Sequence, residues 1–202
     1  FLLLFLYYLK TRRFRNLVVC FSCLLCLGIY HTVMRWYDRP CPSLVFYNVR
    51  GCPAIHCIAE DGTSWLNYAD TLSDKRRLQA VAANYWRRHQ LLPPIEVTAD
   101  CQNVDFCRHQ QIVFYHGCRI CMVTDNRWRN KSAASPLFIN YMYLCKGYNG
   151  RLEELTGLFS PSCILLDASL SDDRKQFFRE ECKRLHLHFI TLSEEGSVRF
   201  LL

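Results

Sequence analysis

The alternation of apolar and polar residues divides the chain at about residue 43. Before that point an apolar stretch runs from Leu17 to Met34, and with Asn16 it gives about 28 Å of helix at roughly 1.5 Å per residue. Because that length just spans a hydrocarbon core, we predict a transmembrane helix here. The predicted order is the end of a preceding transmembrane helix at 1–9, a basic loop at 10–15, the transmembrane helix at 16–34 and a linker at 35–43.

A cleaved signal peptide is the alternative interpretation of this stretch. However, the basic residues follow an apolar run instead of opening the chain, and no small-x-small cleavage site follows Met34. The chain also begins at Phe1 and is apolar from the start, so we expect a fragment of a longer membrane protein. A membrane anchor is therefore the preferred interpretation.

After residue 43, short β-rich runs are separated by turn signals. A helix is predicted over 72–91, where Leu78 and Ala82 belong to an apolar face with three- and four-residue spacing. Ser171 is a good N-cap for a later helix that presents Phe178. This order predicts an α/β sandwich. A short helix is predicted at 152–158, and the predicted strands are 44–49, 54–59, 64–68, 111–115, 119–124, 138–144, 163–166, 186–192 and 197–201.

The formal net charge of +7 is concentrated near the start of the chain. Residues 1–42 contain six basic residues against Asp38, so the rest of the chain carries a net charge of only +2. A nearly neutral domain has no broad phosphate-binding field, and any DNA contact must use local basic clusters. Solvated helix and loop charge is the alternative interpretation of these clusters. The clusters are the segment 127–131 and the predicted DNA contacts Lys75, Arg76, Arg77, Arg87 and Arg88.

The distribution of cations also predicts an orientation across a membrane. Four cations lie in the loop 10–15, against Arg35 and Arg39 after the apolar stretch. By the positive-inside tendency, this loop is cytoplasmic and the domain after residue 43 lies outside.

Thirteen cysteines raise the question of a disulfide framework or a metal site. Several of them fall in the apolar stretch or in predicted strands, where a thiol acts as a small apolar side chain. Cys118 and Cys121 form a C-x-x-C pair, but residues three apart in a strand point to opposite faces, which is poor geometry for one zinc ion. Disulfide pairing stays open among Cys41, Cys52, Cys57, Cys101 and Cys107.

Several segments together resemble the C-terminal domain of ComEC proteins, in particular its Bacteroidetes-like versions. LVFYNVRGCPAIHCIA at 44–59 resembles the opening strand, loop and strand of that domain, and RICMVTD at 119–125 resembles its strand that ends in Thr-Gly-Asp. FSPSCILLDAS at 159–169 and the chain from Arg174 onward resemble its closing strand, helix and hairpin. The resemblance implies a metallo-β-lactamase-like α/β sandwich in an inner-membrane channel that passes single-stranded DNA during natural transformation.

The departures from the family pattern concern the metal site. A hydrolase of this fold binds two metal ions with a His-x-His-x-Asp-His loop, a later His and a bridging Asp. No such loop occurs in this chain. Asp70 stands at the position of the first Asp-bearing turn, Asp125 stands at the end of the Thr-Gly-Asp strand, and Cys145 and Lys146 replace the Ser-His-His-Gly turn. Asp70 and Asp125 are therefore interpreted as remnants of a degenerate site, with no metal, cofactor or catalytic residue expected.

Other chemistry-bearing residues have plainer interpretations. His186 and His188 form a His-x-His whose rings would share a face in a strand, but no acidic partner follows them, so we interpret them as ordinary surface or core histidines. Asp167 is expected to cap the following segment, and the acidic pair at 194–195 is expected to form a hairpin turn. Ser160 and Ser162 lie in no nucleophile elbow.

Three functions remain open at this point. The first is a noncatalytic periplasmic domain of a DNA-uptake transporter in the bacterial inner membrane. The second is a metal-dependent nuclease of the same fold that acts on incoming DNA, and the third is a membrane-anchored binding module unrelated to DNA. For the first function, the expected partners are single-stranded DNA through the full-length channel, membrane lipid, other competence proteins and further copies of the chain.

Overall fold

Residues 14–37, 41–69, 75–89 and 91–202 are described by the structure, which is a computed structural model. The chain divides into two units, Phe1–Arg39 and Pro40–Leu202. The predicted segment 1–9, most of the predicted loop 10–15 and the predicted site residue Asp70 lie outside the described residues.

The first unit contains one described helix, α1 (Phe14–Tyr37). It covers the predicted transmembrane segment 16–34 and continues beyond it at both ends. Among the described residues, no helix combines the length and the apolarity needed to cross a membrane. The transmembrane part of the prediction is therefore not supported by the structure.

The second unit contains two β-sheets. The first has the strand order β12-β1-β2-β3-β4. Its strands are β1 (Ser43–Phe46), β2 (Ala54–Ile58), β3 (Ser64–Tyr68), β4 (Ile95–Val97) and β12 (Val198–Leu201). The second has the order β11-β10-β9-β8-β7-β6-β5. Its strands are β5 (Cys101–Gln102), β6 (Phe106–His109), β7 (Ile112–Tyr115), β8 (Cys118–Val123), β9 (Leu137–Leu144), β10 (Phe159–Leu166) and β11 (Phe189–Thr191).

Apolar side chains that alternate along the strands of both sheets form the central core. Leu44 and Phe46 of β1 lie in the same buried cluster as Ile120 and Met122 of β8, so the two sheets pack against each other. Phe46 packs against Tyr143 of β9 with ring centroids 5.3 Å apart in an edge-to-face arrangement. This core joins the two sheets into one domain.

Helices cover the outer faces of both sheets. Helix α2 (Lys75–Arg88) buries Leu78 and Ala82 in a cluster with residues of the first sheet. Helices α3 (Leu152–Thr156) and α4 (Asp172–Arg184) pack with residues of the second sheet, where α4 buries Phe178. The predicted α/β sandwich is thereby confirmed, with a helix layer on each side of the paired sheets.

Several sequence predictions about this domain are confirmed. The Ser171 side chain accepts a hydrogen bond from the Arg174 backbone N–H at 3.4 Å, as expected of an N-cap. Cys118 packs with the core between the sheets, whereas Cys121 lies in the cluster beneath the helices, so the two thiols do face opposite ways. Asp167 Oδ2 accepts a hydrogen bond from the Ser169 N–H at 2.8 Å and caps the segment after β10.

Two predictions about the C-terminal segment are wrong. His186 and His188 do not lie in a strand, because β11 begins only at Phe189 and His186 has φ 53° in the turn after α4. His188 Nδ1 instead lies 3.2 Å from Cys163 Sγ. The expected hairpin turn at 194–195 is part of a one-turn helix, α5 (Leu192–Glu195), which ends at Gly196 with φ 85°.

Three short strands, β4, β5 and β6, were not predicted at all. Strands β4 and β5 are edge strands and β6 lies next to β5, and none of the three has the long apolar run that marks a central strand. Their positions matter for function, because the chain between β4 and β7 forms one wall of the pocket described below.

Candidate functional site

The candidate site lies at the edge where parallel strands of the second sheet end. Strands β8, β9, β10 and β11 are parallel, so their carboxyl ends meet at the same edge. The Cys145 N–H donates to the Val123 carbonyl at 3.0 Å, and the Asp167 N–H donates to the Leu144 carbonyl at 3.0 Å. In open α/β sheets this edge is the usual place for a ligand.

Asp125 follows β8 at this edge, and its carboxylate is engaged by Arg127. Arg127 Nη2 lies 2.8 Å from Asp125 Oδ2, and the Arg127 backbone N–H donates to Oδ1 at 3.0 Å. Burial raises the pKa of the Asp125 carboxyl, but the hydrogen bonds from Arg127 outweigh this effect and hold the pKa below its usual value. Asp125 is therefore an ionised carboxylate that is already paired with a guanidinium.

The turn after β9 holds Cys145, Lys146 and Gly147. Cys145 is fully enclosed, and burial raises the pKa of its thiol well above the usual range, with a further contribution from the nearby Asp167. The sulfur is thus a protonated thiol rather than the thiolate that binds metals. Gly147 has φ 116°, and a Cβ at this position would clash with the Thr124 carbonyl oxygen, so the turn lies directly against the end of β8.

Asp167 follows β10 and is completely buried. Burial raises the pKa of its carboxyl, opposed by hydrogen bonds from Ser169 and Tyr143. The Tyr143 hydroxyl donates to Oδ1, and the Ser169 hydroxyl and backbone N–H donate to Oδ2. Both oxygens of this carboxylate are used to hold the β10 turn.

The described residues at this edge do not fit a pair of metal ions. Asp125 is bound to Arg127, Asp167 is bound to Tyr143 and Ser169, and the intervening turn offers an enclosed thiol. Within the described part of the chain, no three His, Cys, Asp or Glu side chains lie close enough together to hold a metal ion. Among the residues that the structure describes, the predicted remnant Asp125 therefore has no set of metal ligands around it, and Asp70 lies outside those residues.

A polar cavity of about 220 Å³ opens between the two sheets and is lined on one side by Thr124 and Arg127. The first sheet contributes the segment after β4, from Thr98 to Asp100, and the second contributes Arg108 of β6 and Arg127. Gln111 Nε2 donates to Thr124 Oγ1 at 2.6 Å, and this pair forms the end of the cavity nearest β8. We refer to this cavity as the arginine pocket.

Arg108 is the pocket residue that sequence reasoning missed. Its guanidinium is half-buried and donates from Nη1 to the Val97 carbonyl at 2.8 Å and from Nε to the Gln110 carbonyl at 3.2 Å. Nη1 also lies 3.5 Å from Oδ1 of the buried Asn67. The signal that would have found it is the short alternating run of β6 after the turn residues 103–105, which predicts a strand that presents Arg108 on one face.

The predicted DNA contacts form two groups on α2 instead of one patch. Lys75, Arg76 and Arg77 lie in its first turn, and Arg87 and Arg88 lie in its last turn, about 15 Å away along the helix axis. Lys75 Nζ pairs with Glu96 Oε2 at 2.5 Å, and Arg87 Nη2 donates to Asn84 Oδ1 at 2.8 Å. Whether these residues contact DNA stays a prediction.

The fold and the site together define the chain's second unit as an α/β sandwich with a polar pocket at the carboxyl edge of its parallel strands. The family model described as the ComEC C-terminal domain matches residues 44–202. The chain therefore belongs to the ComEC family, as the resemblance indicated, and this family is one of competence and DNA-uptake proteins. Neither the curated proteins nor the solved structures give a match to the chain.

Proposed function

We propose that residues 44–202 form a noncatalytic domain of an inner-membrane DNA-uptake protein, located on the periplasmic side. The observation that carries the proposal is the pairing of Asp125 with Arg127 at the edge where a hydrolase of the metallo-β-lactamase-like fold holds its metal ions. A guanidinium in contact with the Asp125 carboxylate opposes the binding of a metal cation there, because like charges at short range repel. The domain then contributes binding or organisation to uptake rather than cleavage.

The surrounding residues support the same proposal. The position of the family's Ser-His-His-Gly turn holds the enclosed Cys145 and the cationic Lys146. The other buried carboxylate at this edge, Asp167, is held by Tyr143 and Ser169. Reassembling a metal site would require these hydrogen bonds to break and leave buried polar groups unpaired, which costs roughly 1–3 kcal/mol for each group.

The periplasmic location is supported by the concentration of cations in segment 10–15 and by membership in a family of membrane proteins. Cys41 is exposed and begins the second unit's described part, which makes it a reporter of sidedness. The expected result is labelling by a membrane-impermeant maleimide in intact spheroplasts that decreases in Cys41→Ser. Labelling only after lysis would place the domain on the other side.

The test of catalysis is a cleavage assay on the purified 202-residue chain. Labelled single- and double-stranded DNA is incubated with Mn²⁺ or Zn²⁺, and the metal content of the dialysed protein is measured in parallel. We expect no cleavage above the protein-free control and less than one equivalent of retained metal.

Substitutions make the assay specific for the candidate site. Asp125→Asn removes the carboxylate at the sheet edge, and Asp172→Asn is the matched control because Asp172 is fully exposed at the start of α4. Metal-dependent cleavage that survives Asp172→Asn and disappears with Asp125→Asn would identify the domain as a nuclease and overturn the proposal.

A further inference from the structure

Arg108 carries a partly buried charge that no carboxylate in the described part of the chain neutralises by an ion pair. Its hydrogen-bond acceptors among the described residues are neutral groups, namely the carbonyls of Val97 and Gln110 and the amide oxygen of Asn67. Burial lowers the pKa of the guanidinium, so the charged form has lost part of its hydration. Buried charges in proteins are ordinarily paired, and this one lines an open cavity.

Asp100 also lines the cavity, but its carboxylate is occupied. Oδ1 accepts a hydrogen bond from the Gln110 backbone N–H at 2.6 Å, and Oδ2 lies 3.1 Å from His109 Nδ1. This carboxylate therefore has its own partners. Asp100 reduces the cost of burying Arg108 without forming a direct ion pair with it.

The guanidinium is fixed in position before any ligand arrives. Acceptors from β3, from β4 and from the turn after β6 hold Nε and Nη1, while Nη2 has no hydrogen-bond acceptor among the residues that the structure describes. The buried Nδ2 of Asn67 beside it also lacks a described partner. This part of the domain therefore has more hydrogen-bond donors than acceptors, and a ligand that fits must supply acceptors.

The size and charge of the cavity further limit the kind of ligand that it can bind. At about 220 Å³ it is smaller than the roughly 300–1,000 Å³ of pockets for drug-sized molecules, so a single small group fits better than a whole nucleotide. The guanidinium of Arg127 lines the same cavity but is paired with Asp125, which leaves Arg108 as the lining arginine without an ion pair among the described residues. A phosphate group offers several acceptor oxygens and negative charge, which is the chemistry that arginine recognises best.

We propose that the arginine pocket binds a backbone phosphate of single-stranded DNA, with Arg108 as its main contact. This assignment rests on the proposed function. A nuclease would bind metal ions at this edge, whereas the proposal makes the edge a binding site for an anion. Lys146 is exposed on the turn after β9, whose Gly147 lies against Thr124 of the pocket, so it is the cation proposed to contact the next phosphate. Binding through one pocket and a few exposed cations is expected to be weak and strongly dependent on salt.

The test measures binding of a fluorescently labelled oligothymidylate to the full chain by fluorescence anisotropy, in EDTA so that no metal contributes. Arg108→Gln removes the charge and is expected to lower the affinity about tenfold, which corresponds to the loss of one charged hydrogen-bonded contact. It should also reduce the slope of the logarithm of affinity against the logarithm of salt concentration by about one.

Arg119→Gln is the matched control. Arg119 is exposed at the opposite end of β8 from Thr124, about 16 Å along the strand, and its loss removes the same formal charge. We expect this control to lower the affinity by less than about twofold. Equal losses for Arg108→Gln and Arg119→Gln would show that only overall charge matters and would overturn the proposal.

Arg108→Lys keeps the measurement informative if Arg108→Gln does not fold. The lysine retains the charge but not the planar fork, so a several-fold loss of affinity with a thermal unfolding transition like that of the parent chain is expected. Unchanged affinity in a folded Arg108→Lys chain would argue against a phosphate held by the guanidinium.

Free phosphate is the other source of the same chemistry. Inorganic phosphate that raises the melting temperature of the parent chain but not of Arg108→Gln, combined with equal DNA affinity of the two chains, would assign the pocket to a small anion and overturn the DNA assignment. Because all of these measurements are made in EDTA, their failure is distinguishable from the appearance of metal-dependent cleavage, which would overturn only the noncatalytic function.

Discussion

A buried polar triad attaches α2 to the first sheet and makes stability dependent on pH. His56 of β2 is fully enclosed, its Nδ1 lies 2.8 Å from the Tyr47 hydroxyl, and Trp86 Nε1 of α2 donates to that hydroxyl at 2.9 Å. Because the Trp86 N–H donates to the Tyr47 oxygen, the hydroxyl is free to donate its own proton to His56 Nδ1. The arrangement therefore requires a neutral imidazole.

The pKa of His56 gives the size of the effect. Burial lowers this pKa from 6.5 to about 3, so between these values the unfolded chain binds a proton that the folded chain does not. The contribution of His56 to the free energy of unfolding is then fully present above pH 6.5 and is lost as the pH falls towards 3. One pKa unit corresponds to about 1.4 kcal/mol, so acidification to about pH 4.5 should lower the free energy of unfolding by about 3 kcal/mol through this residue.

The assay is urea unfolding of the full chain at about pH 7 and about pH 4.5, followed by tryptophan fluorescence. His56→Gln should remove about 3 kcal/mol of the difference between the two pH values, although it lowers stability at neutral pH. Tyr47→Phe is the control, because it breaks the same hydrogen bond and leaves His56 to titrate. If His56→Gln kept the pH dependence of the parent chain, His56 would not be its source. Loss of the pH dependence in Tyr47→Phe would also refute the assignment to His56.

Two further predictions concern the edge of the second sheet. Gly147→Ala should destabilise the domain by about 2–4 kcal/mol, since it combines a positive φ with a clash against the Thr124 carbonyl. Gly51→Ala is the control. Gly51 has φ 83° and open space around it, so this change should cost only about 1 kcal/mol. Equal costs for the two changes would contradict the close approach of the β9 turn to β8. Tyr143→Phe should cost about 2 kcal/mol in urea unfolding, because it removes a donor from the buried Asp167 carboxylate. Tyr115→Phe, whose hydroxyl has no described partner, should be close to neutral, and a neutral Tyr143→Phe would argue against the Asp167 network.

The organisation of the folded domain was largely predictable from local pattern. Strand β3 was predicted with its observed ends, 64–68, because turn residues precede it and its own β-rich run marks its extent. The Ser171 cap and the amphipathic faces of α2 and α4 follow from the positions of capping and apolar residues along the sequence. These features depend on contacts within a few residues, which is why single-sequence reasoning finds them.

The edges of the sheets could not be predicted in the same way. Strands β4 and β5 contain only three and two residues, so neither offers a period to detect. The segment His186 to His188 has the alternating composition of a strand, but the end of α4 holds His186 at φ 53° and moves the strand to Phe189. Here the packing of a neighbouring helix overrides local preference.

The sequence by itself determined the family, the α/β layers and the missing histidines of the metal loop, because each of these is written in residue types and their spacing. Only the tertiary structure decided what became of the remaining carboxylates. Asp167 is paired with Tyr143 of the neighbouring strand β9, and Arg108 lines a pocket formed with segments far from it in the chain. These contacts depend on distances between strands and between the two sheets, and those distances exist only in the folded domain.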